Sequence, residues 1–530
     1  MGSQATTPAK RIDEAPARQS NEQSWDIGVL PGRVVLCLAF ALAMLLLLPF
    51  LGTIPGLHGD EAWAGARAQE ILGGSRPLVG MTPYTGPIYQ YLLVPVLAHF
   101  GFTVACLRLL TVVPSLICVL LYYALAKRLF GRTIGCLAAL VLVCLPAFAA
   151  YGRVAFEVFA LNPLLALLAI LLILKSESRT LPIKGFLLCV SGVCLGLGTW
   201  NHIIFLSVPV GLLTVAFHQK RFRLFLDQGF YSVCGGMLVA LAPRFYYARN
   251  HGGHLASQSG SFHDVCQRFS EWPAMLVGII DGNLIYQRFS GEVALRLPGV
   301  VLLVFAVGTL LYFRRKGWSW SLRAKQVIIF SVFLYFTTVL ICPYNADRYF
   351  LLILYVVPLF VALAFREVFR IGCLRQFWPI VVLAFALIEL ARTGDNYFAS
   401  QHNSHGRGST FRLGSNEETS NHFIRSDELY ERLVALPARH IYAEFFIAEP
   451  LQFYDLEKRQ FNSIQVVESA SQVPSRFDDP DGSYVVVYDG GKRRIGAKDF
   501  QRLKQIAHEG NFIVLGPAGM GERENGSPKK

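Results

Sequence analysis

Charge is what this chain has least of. Only 16% of its 530 residues are Asp, Glu, Lys or Arg, while 53% are hydrophobic. A soluble protein of this length needs a far more charged surface to stay dispersed, so a wholly soluble chain is excluded. Cysteine is also sparse. Of the eleven, Cys37, Cys118, Cys136, Cys144, Cys189, Cys194 and Cys234 lie inside apolar runs, where a thiol behaves as a small hydrophobe. None follows Cys373, and no two are spaced Cys-x-x-Cys. That excludes a disulfide framework in the C-terminal part and gives no signal for zinc or redox chemistry through cysteine. Acidic residues are outnumbered 36 to 49, a net charge of +13. The basic residues fall between apolar runs, where they set orientation and meet anionic headgroups, so nucleic acid is rejected as a partner.

Long apolar runs are what is present. A spanning helix needs roughly 20 apolar residues, because the hydrocarbon layer is about 30 Å thick and each residue rises about 1.5 Å. The pattern predicts helices near 34–51, 105–126, 133–149, 156–174, 185–200, 203–217, 229–248, 297–313, 327–342, 349–365 and 377–391. The first follows a polar tail without a small-residue cleavage site, so it reads as an anchor and not a removed signal peptide.

The loops between these runs alternate. Basic residues cluster at Lys127, Arg128 and Arg132; at Lys175, Arg179 and Lys184; and at Lys220, Arg221 and Arg223. They cluster again at Arg314, Arg315, Lys316, Arg323 and Lys325, and at Arg366, Arg370 and Arg375. By the positive-inside rule these loops are cytoplasmic. The N-terminus is then inside and, after eleven crossings, the C-terminus outside. The expected architecture is a polytopic α-helical membrane protein of about 11 spans with a small C-terminal extramembrane α/β domain. Residues 1–33 form a cytoplasmic polar tail, 34–391 the membrane domain with long outer loops 52–104 and 249–296, and 392–530 the outer linker and domain. The stretch Pro87–Phe100 reads as lying in the interface, with an extra paired crossing as the alternative. Beyond 392, strands are expected at Arg439–Phe446, Ser463–Val467, Tyr484–Tyr488 and Phe512–Leu515, and a helix at Ala497–His508. The segment 401–422, rich in Ser, Asn, His and Gly, reads as a linker or mobile loop.

Four outer turns carry ionisable residues. Asp60-Glu61 precedes a helix-like run to Leu72; it reads either as an N-terminal cap or as a general base, and one carboxylate could cap while the other faces a cavity. Arg153 and Glu157 read as an interfacial ion pair or as ligands of a substrate headgroup. Asn201-His202 reads as a turn pair or, through His202, as a phosphate donor. Asp347-Arg348-Tyr349 reads as a cap with interfacial Arg and Tyr, or as an anion clamp. His58, Arg67, Arg108 and Arg244 are weaker candidates of the same kind. The polar groups gather at one face and not at the midplane, which suits chemistry on a substrate with its tail in lipid and its head outside.

These segments resemble the GT-C-type integral membrane glycosyltransferases, the group holding protein O-mannosyltransferases, the lipid A aminoarabinose transferase and bacterial lipopolysaccharide glycosyltransferases. Leu57-His58-Gly59-Asp60-Glu61-Ala62 is similar to the family's acidic pair after the first helix, and Gln69-Glu70-Ile71-Leu72 to the run that follows it. Thr85-Gly86-Pro87-Ile88-Tyr89-Gln90-Tyr91-Leu92 resembles its proline-aromatic stretch. Arg108 through Gly131 resembles its second span, Arg153 through Glu157 an Arg-plus-acid pattern, and Asp347-Arg348-Tyr349-Phe350-Leu351 through Pro358 its Arg-Tyr-Leu helix. Ala62, Trp63 and Ala64 depart from the Arg or Lys and Tyr common there. Asn201-His202 stands where many members carry Lys, so His202 takes the lysine's place in this reading.

The resemblance implies a sugar donor on polyprenyl phosphate and a glycolipid or glycan acceptor outside a bacterial inner membrane. Asp60 would be the base, with Glu61 as a second catalytic carboxylate. Arg153, Glu157, His202, Asp347, Arg348, Tyr349 and His58 would hold substrate or its phosphate. No cofactor is called for by a motif; a divalent metal at Asp60, Glu157 and a His is an option without a spacing signature. A transporter or flippase of a lipid-linked sugar, and a non-catalytic sensor, are the competing classes.

Overall fold

The computed structural model describes residues 29–250, 262–280, 282, 306–311, 314, 322–342, 347–369, 375–399, 410–413, 417–420, 426–473, 482–488, 503–509 and 512–516. Helices dominate its first 400 residues: α1 (Val29–Leu47), α2 (Gly59–Leu72), α3 (Ile88–Phe100), α4 (Val104–Phe130), α5 (Arg132–Cys144), α6 (Pro146–Tyr151), α7 (Glu157–Ser176) and α8 (Leu181–Asn201). There follow α9 (Ser207–Lys220), α10 (Gln228–Asn250), α11 (Phe262–Ile280), α12 (Leu322–Ile341), α13 (Leu351–Leu354), α14 (Val357–Phe369) and α15 (Trp378–Thr393).

Among the described residues five helical segments are long and apolar enough to cross a membrane: Val104–Phe130, Leu181–Asn201, Ile203–Lys220, Leu322–Ile341 and Leu351–Val368. Pro31–Leu47, Ile88–Phe100, Arg132–Cys144 and Leu161–Ser176 are apolar but shorter. Most of the helix expected at 297–313 lies outside the described residues. The run expected as one helix over 133–149 is two. Leu145 turns extended before Pro146, which lacks the amide that α5 would need to continue, and α6 starts there. A second break falls at Tyr355–Val356, just before Pro358 in α14.

The bundle is built around α5, buried from Thr133 to Cys144. Where α8 meets α10 the backbones touch. A Cβ at Gly192 would sit 2.0 Å from the Val233 carbonyl oxygen, and one at Gly236 2.1 Å from that of Cys189, so only glycine allows this approach. Outward faces carry exposed Phe186, Leu238, Val239 and Ile380, a surface that suits lipid and not water.

Past α15 the chain forms a hairpin of β1 (Thr410–Leu413) and β2 (Glu417–Ser420), paired antiparallel inside the segment expected as a linker. Then come α16 (Ser426–Val434), β3 (His440–Ala443), α17 (Phe445–Lys458), β4 (Ser463–Val466), β5 (Ser483–Tyr488), β6 (Lys504–Glu509) and β7 (Phe512–Gly516). One five-stranded sheet runs β4-β3-β5-β7-β6. β3 is parallel to β4 and β5, while β7 is antiparallel to β5 and β6. Leu429 and Leu433 of α16 and Ile447 and Leu451 of α17 cover one face, against Ile441, Val486 and Val514. Two expectations fail here. The strand expected to reach Phe446 stops at Ala443, because α17 begins at Phe445. The helix expected over 497–508 is a strand in its described part, Lys504–Glu509, held by pairing with β7.

Candidate active site

Helix α2 begins in a reciprocal cap. His58 lies in the extended region; its Nδ1 accepts the Asp60 amide at 3.0 Å, and its own amide donates to Glu61 Oε2 at 3.1 Å. This is a capping box with imidazole in place of a hydroxyl. Nδ1 also stands 3.7 Å from Asp60 Oδ2, but its lone pair is committed to the amide, so it carries no proton to give there. Successive residues in a helix point about 100° apart. The two carboxylates therefore face different surroundings.

Glu61 is fully buried. Oε1 accepts Arg108 Nε at 2.9 Å and the Ala155 amide at 2.6 Å, while Oε2 accepts Arg108 Nη2 at 2.8 Å beside the His58 amide. Arg108 spends its other N–H groups on the carbonyls of Leu51, Pro55 and Gly56, at 3.0, 2.8 and 3.0 Å. Every donor of the guanidinium is used, and the carboxylate takes four hydrogen bonds. The expectation of Glu61 as a catalytic group thus meets a carboxylate already full and away from the cavity. It anchors α2 to α4 and to the end of α1.

Asp60 is different. Its side chain is 20% exposed and lines a cavity with Trp63, Gln90, Phe156, His202, Tyr349 and the 81–85 segment. Counted out to its open mouth, the cavity has about 480 Å³ of empty space.

His202 reaches this cavity from the end of α8. Its Nδ1 accepts the Ile204 amide at 3.2 Å, so the proton of the neutral ring sits on Nε2. The backbone is stitched to the loop before α3: Thr85 and His202 form an antiparallel bridge, the Gly86 amide donates to Asn201 at 2.9 Å, and the Ile203 amide to Tyr84 at 3.0 Å. The imidazole packs between Tyr84 and Tyr349, each ring 5.4 Å away. Tyr349 is buried in the short turn Asp347–Phe350. The Asp347 and Arg348 backbones belong to this turn, next to the cavity residue; their side chains lie outside the described residues.

Arg153 is not beside Asp60. It is buried and donates to the carbonyls of Leu46, at 3.1 Å, and Pro49, with Phe398 stacked 4.8 Å from the guanidinium. It closes the end of α1, whose last carbonyls have no partner within the helix. Nor can it pair with Glu157 along one helix face, because Glu157 is the first residue of α7 and Arg153 precedes it. The Glu157 side chain lies outside the described residues. His58 is buried against Phe156 and serves the cap. Arg67 lies over Trp63 and pairs with Glu70, and Arg244 donates to the carbonyl of Pro83 at 3.0 Å. Among the described residues no group of three His, Cys, Asp or Glu side chains could hold a metal ion.

The extramembrane domain touches the same helix. α17 packs along α2, where a Cβ at Gly59 would lie 2.8 Å from the Phe446 ring and one at Gly65 2.4 Å from Phe453. Phe446 also meets the His58 ring edge-on at 5.3 Å. The Phe102 amide donates to Glu457 Oε1 at 3.1 Å. Glu449 is buried in this contact. Burial first, and then the charges of Glu70 and Asp60, push its carboxyl up to about 7.

Residues 83–247 match the dolichyl-phosphate-mannose-protein mannosyltransferase family. The crystal structure of ArnT from Cupriavidus metallidurans bound to undecaprenyl phosphate superposes with a TM-score of 0.58 at 11% identity, over 92% of this chain and 98% of that one. The fold is that of the GT-C-type membrane glycosyltransferases. The apo form of the same ArnT gives 0.54 at 12% identity, covering 91% and 97%. An oligosaccharyltransferase from Archaeoglobus fulgidus gives 0.48 at 13% identity, covering 86% and 68%. Comparison with curated protein sequences gives no match. In GT-C terms, the acidic pair, the proline-aromatic stretch and the Arg-Tyr turn all contribute to one cavity, through Asp60, Thr85, Gln90 and Tyr349. Gln90, Trp63 and Phe156 had no expected role, though Gln90 lies within a motif and Trp63 among the departures.

Proposed function

We propose that this protein is a polytopic, inverting glycosyltransferase of a bacterial inner membrane. It moves a sugar from a polyprenyl-phosphate donor to a hydroxyl of an envelope glycolipid or polysaccharide on the periplasmic side. The alternating basic loops support eleven crossings, with the N-terminus cytoplasmic and the C-terminus periplasmic. They also support the division into tail, membrane domain and outer domain at residues 33 and 391. The ArnT neighbour holds undecaprenyl phosphate, which supports a lipid phosphate as the carrier.

The observation that carries the reading is the split of the acidic pair: Glu61 is consumed by Arg108, and Asp60 opens onto the cavity opposite His202 and Tyr349. Asp60 takes the proton as the acceptor oxygen bonds to the anomeric carbon from the face opposite the phosphate. The bond from that carbon to the phosphate oxygen breaks, and its electron pair leaves with the lipid phosphate. The configuration inverts. His202 Nε2–H, the Tyr349 hydroxyl and Arg348 meet the charge that develops on the leaving group. Asp347 and Glu157 bind the donor by orienting its sugar hydroxyls.

The test uses full-length protein in nanodiscs with undecaprenyl phosphate carrying mannose, glucose, galactose or aminoarabinose, and an envelope lipid extract as acceptor. Mass spectrometry should detect a glycosylated product from the wild type. Asp60→Asn should lower its rate by about 10²–10⁴-fold. Normal transfer by that variant would refute the base assignment. Movement of the lipid-linked sugar across the bilayer with no new glycosidic bond would refute the transferase reading.

A further inference from the structure

One polar side chain in the cavity has no part in the chemistry above. α3 opens Ile88-Tyr89-Gln90-Tyr91-Leu92-Leu93, and Gln90 is the polar residue in the apolar first turns of this helix. Gln90 is 2% exposed and lines the same cavity as Asp60, His202 and Tyr349. Its carbonyl oxygen Oε1 is buried without a hydrogen-bond partner among the described residues. An orphaned buried acceptor is costly, and leucine or methionine would fill the space without that cost. Tyr89, its neighbour, shows the usual solution: its hydroxyl reaches the Leu107 carbonyl at 3.3 Å and Thr111 at 3.2 Å.

We propose that Gln90 Oε1 accepts a hydrogen bond from a hydroxyl of the donor sugar and so distinguishes the sugar-bearing lipid from the bare carrier. The inference rests on the transferase reading and deepens it. Its chemistry separates the parts of the donor. An amide oxygen has only lone pairs to offer. An ionised phosphate also has only lone pairs, and a polyprenyl tail has no polar hydrogen. Hydroxyls on the sugar ring donate. The orphaned atom is therefore matched to the sugar and not to the rest of the molecule, while His202 and Tyr349, which carry polar hydrogens, are matched to the phosphate. Gln90 is a specificity residue and takes no proton.

The experiment compares full-length wild type with Gln90→Leu in nanodiscs. It measures the affinity for bare undecaprenyl phosphate and for undecaprenyl phosphate carrying each of the four sugars above, without acceptor. Wild type should prefer at least one sugar-bearing lipid. Gln90→Leu should lose about fivefold or more of the affinity for that lipid and keep its affinity for bare carrier. The variant should also melt no lower than wild type, since it removes an unpaired polar atom from the interior. If the sugar preference survives intact, the role of Gln90 is refuted and the transferase reading stands. An equal loss for both lipids, or a lower melting temperature with no change in preference, would make the residue structural and overturn the proposal. A wild type that prefers none of the sugar-bearing lipids would take down the transferase reading together with this inference.

Discussion

The two sides of α2 are built on opposite principles. Below it, Glu61, Arg108, the Ala155 amide and the carbonyls of Leu51, Pro55 and Gly56 form a closed network in which each donor meets an acceptor. Above it, Asp60 lines the cavity, and Gln90 Oε1 has no hydrogen-bond partner among the described residues. The first arrangement spends all its hydrogen bonds on holding backbone in place. The second lines a cavity with polar groups that a ligand can meet, as a site must if a ligand is to gain by binding. Adjacent charges in a sequence are therefore poor guides to shared roles: one helical step separates an anchor from a reactive group.

Substitutions can break this contrast. The largest effect is expected from Arg108→Leu, which leaves the Glu61 charge buried without its partner at a cost of about 3–5 kcal/mol. Thermal melting in detergent should show a large drop or no folded protein. If the variant melts like wild type, the lower side is no anchor. Glu61→Gln should cost a comparable amount, about 3–5 kcal/mol, by the same readout, since it leaves the Arg108 charge buried without its partner and sets an amide NH2 against N–H donors. Asp60→Asn should leave the melting temperature unchanged although it slows turnover by about 10²–10⁴-fold; a matching loss of stability would mean that both carboxylates are structural.

Phe446→Ala tests whether the outer domain steadies the upper side. It removes the ring resting on the cap residue of α2, and turnover should fall roughly tenfold with KM little changed. Unchanged turnover would make the contact a matter of docking alone. The smallest effect concerns Glu449. Its folded carboxyl titrates near 7, above an ordinary glutamate, so the folded state holds the extra proton between about 4.5 and 7. The stability it contributes is full below that window, declines as pH rises through it, and is level above. Melting curves across pH 4–8 should show this slope, and Glu449→Gln should flatten it.

Much of the bundle was legible because lipid demands unbroken apolar runs, and those show in the sequence without knowledge of partners. The start of α2 was legible to within a few residues, because Asp60 and Glu61 sit in its first turn; that His58, and not a carboxylate, is the N-cap was not. The option that one would cap and the other face a cavity is the arrangement found. The cations were not legible. Arg108 and Arg153 find carbonyls 52 to 107 positions away, and nothing near them in sequence signals that. α17 was missed because Phe445-Phe446-Ile447 looks like a strand and Pro450 argues against a helix. Its helical state comes with packing against α2 and the sheet. Lys504–Glu509 was misread in the opposite direction, since pairing with β7 is a distant contact.

The bridge between Thr85 and His202 carries a mechanical consequence. Two backbone hydrogen bonds flank it, from Gly86 to Asn201 and from Ile203 to Tyr84, so the loop entering α3 and the tip of α8 move as one rigid strap. Fastened this way, the imidazole is a fixed post. A bulky headgroup arriving at the mouth must make its room elsewhere along the rim.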